Sequence, residues 1–189
     1  NRFGKVSPTT AADVRADLGD DVDLILDGGP CRVGIESTIV DCTGAAPAIL
    51  RLGGVAQAGI EDVVGASVEL RIAGTTAAPG TLPGHYAPAA RVMVVERRVV
   101  SLQASSLLAS GDRVALLMLA PVLAELPAAL AVLDPPVDVD DFARVLYTRL
   151  RDADRAGVDV LLVVAPPPDG VGAAVVDRLT RAAVGTGPQ

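Results

Sequence analysis

A carboxylate and two hydroxyls stand side by side in GGPCRVGIESTIVDC, where Glu36, Ser37 and Thr38 open an apolar run behind a glycine-rich loop. A tight turn calls for Gly and Pro; it has no need of such a cluster. Strand alternation puts Glu36 and Thr38 on one face and Ser37 and Ile39 on the other. The residues describe either an edge strand with its polar groups in water or a ligand-facing strand start, with Ser37 donating to a carboxylate or phosphate. Arg51 ends the apolar run AILR beside two glycines. A solvated arginine is the ordinary reading, and bidentate anion recognition is the chemical one.

Other groups invite similar weighing. Ser7, Pro8 and Thr9 suit the start of a helix, with Ser7 or Thr9 as its cap, and a helix N-terminus flanked by hydroxyls is also an anion site. His85 is the only histidine, and with no second imidazole or cysteine cluster nearby no metal site is expected. Tyr86 beside it offers an aromatic face for a base. Late in the chain, Gly170 and Gly172 fit the start of a dinucleotide fingerprint. Val175 stands where its third Gly or Ala belongs, so helix entry is the better reading.

These groups must be positioned by a small set of elements. The spacing predicts a helix in SPTTAADVRADLG ended by Gly19, a strand at Val22–Asp27, and two strands in GIESTIVDC and PAILRLGG joined by a Thr43–Ala46 turn. A short helix at Ile60–Val64 and a strand at Val68–Ile72 follow. Residues 73–90, rich in Pro, Gly, Thr and Ala, read as a linker or functional loop. Beyond it, strands at Arg91–Val95, Arg113–Leu119 and Val158–Ala165 alternate with helices at Ser101–Ala109, Pro121–Leu130, Asp140–Ala156 and Gly172–Ala183. That alternation predicts a mostly parallel α/β sheet covered on both faces.

Composition narrows the function classes. Half of the 189 residues are apolar, only 2% are aromatic and there is no Trp, so the core must be built from Val, Leu, Ile and Ala. The net charge of -7 is the opposite of what holding a nucleic-acid backbone requires. Cys31 and Cys42 fit no metal or redox spacing and read as two buried free thiols. With no apolar run of about 20 residues and no signal peptide, the chain reads as soluble and cytoplasmic. Its opening at Asn1, just ahead of a capped helix, reads as a fragment that starts in mid-domain.

Taken in order, SPTTAADV, VDLILDGGPCRVGIESTIVD, PAILR, IEDVVG and APGTLPGHYAP resemble the second half of a YrdC-like domain and its linker, as found in the two-domain threonylcarbamoyl-adenylate synthases. The tail segments FARVLYTRLRDADRAGVDVLLV and GVGAAVVDRLTRAA are similar to that family's C-terminal α/β domain. The resemblance implies residues 1–72 as the C-terminal half of a YrdC-like α/β domain with a twisted mixed sheet, 73–90 as linker and lid, and 91–189 as a small Rossmann-like α/β domain.

It also implies a nucleotidyltransferase that joins L-threonine, bicarbonate and ATP into threonylcarbamoyl-adenylate and pyrophosphate, with Mg²⁺ accompanying ATP. A downstream threonylcarbamoyl transferase complex would pass the group to tRNA, so contact with tRNA is indirect, and neither DNA nor a membrane is an expected partner. Carried over residue by residue, Ser37 would contact threonine and Arg51 would contact ATP. Asn1, Ser7 and Thr9 would line the nucleotide side, and Tyr86 would close over it. Leu52 and Phe3 depart from the family's usual proline and serine. The family's basic nucleotide-binding cluster lies in the half of the catalytic domain without a counterpart here, so little or no synthase activity is expected of this chain by itself. The alternatives are a non-catalytic nucleotide or double-stranded RNA binding module of YrdC-like fold, which the acidic charge disfavours, and a carbamoyltransferase subdomain, which the linker and tail disfavour.

Overall fold

The computed structural model describes residues 2, 4–72 and 85–186. Asn1, Phe3 and most of the linker expected as a lid therefore lie outside the described residues.

The C-terminal part is organised by two strands that are apolar along their whole length, β5 (Val114–Leu117) and β7 (Val160–Val163), all eight residues of which are buried. A strand buried on both faces needs a cover on each side, which is the situation of a parallel sheet. They lie in a four-stranded parallel sheet with β4 (Arg91–Val94) and β6 (Ala131–Val132), in the order β4-β7-β5-β6. Ala115, Leu117, Leu161 and Val163 face one way, onto α4 (Val139–Arg155) and α5 (Gly172–Thr186). Val114, Leu116, Val160 and Leu162 face the other way, onto Val100, Ala104 and Leu107 of α3 (Val100–Ala109). The α/β class and the covered parallel sheet are as the sequence predicts.

Helix α4 shows why its segment folds as it does. Asp138 caps it, accepting from the Asp141 amide at 2.7 Å, and Phe142, Leu146, Leu150 and Ala153 fall on one stripe with no exposure. Burying side chains of the Phe and Leu class contributes about 1.5–3 kcal/mol each. Its opposite flank carries arginines that receive the N-terminal helix, α1 (Ala11–Leu18). Arg151 donates to Asp17 at 2.6 and 2.9 Å, and Arg155 to Asp13 at 2.9 Å.

A second, mixed sheet carries the segment of chemical interest. β1 (Ile39–Asp41) runs antiparallel to β2 (Ala48–Arg51), which runs parallel to β3 (Glu69–Leu70). Helix α2 (Gln57–Val64) connects β2 to β3 and ends on Gly65 in the left-handed conformation. The two parts of the chain share one core: Val6, Ile35 and Tyr86 pack into the same cluster as α4, α5 and one face of the parallel sheet.

Several expectations are corrected. Helix α1 is capped by Thr10, not by Ser7 or Thr9; Thr10 and Asp13 exchange side-chain to backbone bonds in a capping box. No helix forms over Pro121–Leu130. Pro127 falls in its interior, where a proline removes a ladder donor and clashes with the preceding turn. Val22–Asp27 is not in any ladder among the described residues, and Leu24 and Leu26 are exposed there: apolar β-type residues make a strand only where a neighbouring strand takes their backbone bonds. Cys31 and Cys42 are free thiols but exposed, not buried; neither belongs to either core cluster.

Candidate functional site

The GIEST segment is held by glycine. An added Cβ on Gly53 would lie 2.3 Å from the Ser37 carbonyl carbon and 2.4 Å from both the Glu36 oxygen and the Thr38 nitrogen. Only a residue without a side chain allows the two backbones to approach this closely. The contact is secured by the Gly54 amide donating to the Glu36 carbonyl at 2.9 Å, and by Thr38, whose hydroxyl donates to the Val55 carbonyl at 2.6 Å. On the opposite side Gly34 (φ +81°) sits against α4, where a Cβ would meet the Arg144 carbonyl oxygen at 2.1 Å.

Ser37 is exposed and Arg51 is buried, and the two meet. The Arg51 guanidinium donates to the Ser37 carbonyl through Nε at 3.1 Å and Nη2 at 2.9 Å, and Nη2 reaches the Ser37 hydroxyl at 3.3 Å. A buried guanidinium beside the hydroxyl of an exposed residue, at the end of a strand, is of the type that recognises a carboxylate or phosphate oxygen. The ordinary reading of Arg51 as a solvated side chain is therefore replaced by a buried one.

Glu36 turns the other way and is the centre of a polar cluster. Its carboxylate accepts from the Ser7 hydroxyl at 2.7 Å, from the Tyr147 hydroxyl at 3.0 and 2.8 Å, and from Arg178 Nε at 3.0 Å. Arg178 is fully buried; its other nitrogens donate to the Leu52 carbonyl at 2.8 Å and to Asp177 at 2.7 Å. Its guanidinium carbon lies 5.1 Å from the centre of the Tyr86 ring, and Tyr86 stacks on Tyr147 at 5.6 Å. Burial alone would raise the Glu36 carboxyl, but the Ser7 hydrogen bond, the Arg178 charge and the Tyr147 hydroxyl overcome it and hold it below its ordinary value. Burial pushes the Tyr147 hydroxyl well above its ordinary value, and the neighbouring Glu36 charge adds to that. Glu36 is thus ionised and Tyr147 a neutral donor at neutral pH.

The other residues singled out in the sequence lie nearby in different roles. Ser7 is engaged by Glu36. Thr9 is buried, its hydroxyl 3.3 Å from both Asp13 and the Thr148 hydroxyl. Tyr86 is buried and has a positive φ of 64°, a conformation rare for a bulky residue. Asn1 is outside the described residues. A cleft of about 390 Å³ borders this segment, lined by Arg32, Gly54, Asp138, Asp141 and Arg144 among others. Its carboxylates make it a poor host for a polyphosphate, and neither Ser37 nor Arg51 lines it. Among the described residues no cluster of three His, Cys, Asp or Glu side chains is placed to hold a metal ion.

The family model described as "Threonylcarbamoyl-AMP synthase, C-terminal domain" matches residues 55–184, and one described as "Telomere recombination" matches residues 1–53. The chain belongs to the threonylcarbamoyl-AMP synthase family. The threonylcarbamoyl-AMP synthase of Pyrococcus abyssi is 36% identical, over 96% of this chain and 55% of the relative. That of Bacillus subtilis is 32% identical, over 98% and 56%. The crystal structure of P. abyssi Sua5 complexed with L-threonine superposes with a TM-score of 0.87 at 35% identity, covering 98% of this chain and 56% of that one. The chain thus spans about half the length of these relatives.

Within this threonylcarbamoyl-AMP synthase fold, Arg178 and Tyr147 are the residues that sequence reasoning passed over. A signal was present. Val175, Arg178, Leu179 and Ala182 fall on the buried stripe of α5, and an arginine in an apolar stripe needs a buried partner. The carboxylate that answers it, Glu36, lies 142 residues away in the sequence, and helical spacing carries no information about that separation.

Proposed function

We propose that this protein takes part in forming threonylcarbamoyl-adenylate and pyrophosphate from L-threonine, bicarbonate and ATP, the activated intermediate from which a separate transferase complex modifies tRNA. The reading is carried by the pairing of the exposed Ser37 hydroxyl with the buried Arg51 guanidinium. Membership of the family, and a solved relative in complex with L-threonine, support it. Ser37 takes the threonine side and Arg51 the nucleotide side, with Asn1, Ser7, Thr9 and Tyr86 bordering the nucleotide. For Ser7, Thr9 and Tyr86 this requires that ATP share or displace the partners they have in the structure.

The chemistry is mainly positioning. A threonine carbamate must be held in line with the α-phosphate while charge on the departing pyrophosphate is neutralised. Arg51 supplies one positive charge, and Mg²⁺ would enter with the phosphates, which satisfy its preference for oxygen ligands. One guanidinium does not balance a triphosphate, so pyrophosphate release by this polypeptide is expected to be slow. The chemistry concerns small molecules in the cytoplasm, and the net charge of -7 suits it. No helix among the described residues is long and apolar enough to cross a membrane.

Calorimetric titration with L-threonine tests the reading. Saturable binding that is lost in Ser37→Ala supports it; no binding by the unaltered chain, or binding untouched by that substitution, overturns it.

A further inference from the structure

The cluster around Glu36 joins three separate stretches of the chain at one carboxylate. Ser7 comes from the N-terminal lead, Tyr147 from α4 and Arg178 from α5. Glu36 is the immediate neighbour of Ser37 in the chain, and the carbonyl of Leu52, next to Arg51, is bonded by the same Arg178. The two residues read as the substrate pair are therefore each one peptide unit away from a group gripped by Arg178. That guanidinium also lies over Tyr86, whose left-handed backbone needs outside contacts to persist.

We propose that Arg178 and Tyr147 are positioning residues: from the C-terminal helices they clamp Glu36 and the Leu52 carbonyl, and so fix the Ser37 hydroxyl against the Arg51 guanidinium in its binding geometry. The claim about substrate rests on the reading of Ser37 and Arg51 given above; the clamp itself does not. Physically, a fork-shaped guanidinium with no exposure determines the placing of two peptide segments at once, which an ammonium point charge cannot do. Backbone displacements well under 1 Å at Ser37 are enough to lose a hydrogen bond that is already 3.3 Å long. The C-terminal helices would then be part of the site's construction although neither supplies a substrate contact.

The test uses the whole chain with three substitutions, Tyr147→Phe, Arg178→Gln and Arg178→Lys, and Val114→Ala as a control that loosens the core on the far face of the parallel sheet. Tyr147→Phe removes one oxygen and keeps the ring stack, so it remains informative if the Arg178 variants fold poorly. Two quantities are read: the Kd for L-threonine, and amide hydrogen exchange around residues 36–38 and 51–54. The expected result is about a tenfold weaker Kd for Tyr147→Phe, a larger loss for Arg178→Gln with no rescue by Arg178→Lys, and faster exchange confined to those two segments. Val114→Ala should lower the melting temperature and leave the Kd unchanged. Unaltered exchange at residues 36–38 in both Tyr147→Phe and Arg178→Gln overturns the clamp, as does an equal loss of affinity in Val114→Ala. If the unaltered chain binds no threonine, the functional reading fails, and the exchange data alone then decide for or against the clamp.

Discussion

Arg51 and Ser37 form one unit: the guanidinium is 2.9 Å from the Ser37 carbonyl through Nη2 and 3.3 Å from its hydroxyl through the same nitrogen. The buried cation is thereby fixed by an exposed residue. Replacing it with lysine keeps the charge and loses the planar fork. Arg51→Lys is expected to weaken ATP binding by about tenfold, the equivalent of one charged hydrogen bond of about 1.5 kcal/mol. Competition with a fluorescent nucleotide measures it, and an affinity equal to that of the unaltered chain would remove Arg51 from the nucleotide side.

The close approach at Gly53 predicts a steep contrast between glycines. Gly53→Ala places a methyl group 2.3 Å from the Ser37 backbone, where nothing can give way. Overpacking of this kind destabilises by about 1–3 kcal/mol, and here the strain falls on the segment proposed to bind threonine. Gly28→Ala meets nothing within 4 Å and is expected to leave stability within about 0.5 kcal/mol. Urea midpoints of the two variants check the contrast; a neutral Gly53→Ala contradicts it.

Stability should fall on acidification. Glu36 and Asp13 are held below their ordinary values despite burial, and exposed Asp159 is lowered to about 2 by its bonds with Arg113. A carboxyl whose folded value lies below its unfolded one stabilises the fold above the unfolded value and ceases to do so as pH drops through the folded one. Unfolded carboxyls titrate near about 4, so the loss is expected between about pH 5 and pH 2. His85 is lowered by burial; its neutral form is favoured in the fold, and it adds a loss of the same sign below about pH 6.5. Chemical denaturation at pH 7, 5 and 3 should give a declining midpoint, and a constant one would show these pairs to be without net effect.

Both cysteines are exposed and unpaired. A thiol reagent applied to the folded chain without denaturant should titrate two equivalents per chain, and the same number after unfolding. Fewer in the folded state would mean that one thiol is covered in solution.

The sequence was a good guide where periodicity and burial coincide. The apolar blocks of β5 and β7 and the stripe Phe142, Val145, Leu146, Leu150 describe a covered parallel sheet before any coordinates, and the helix-entry reading of Gly172 agrees with the start of α5. It failed where one residue outweighs a pattern, as Pro127 does in the helix expected over Pro121–Leu130, and where an element depends on neighbours, as in Val22–Asp27. At the candidate site, Ser37 and Arg51 were legible as residue types, and their contact was not, since it depends on Gly53 bringing two peptides together. Arg178 was legible only as an anomaly of its stripe, because the partner that explains it is remote in the chain.

Helix α4 is shared by two neighbours that make different demands on it: its apolar stripe belongs to the sheet, and Arg151 and Arg155 on its flank belong to α1. The protein is consequently a poor subject for transplantation. A chimera that exchanged residues 91–186 for a stretch without guanidinium groups at positions 151 and 155 would leave Asp13 and Asp17 without these ties. The two halves must change together, and one part of the compatibility between them is written along an edge of a single helix.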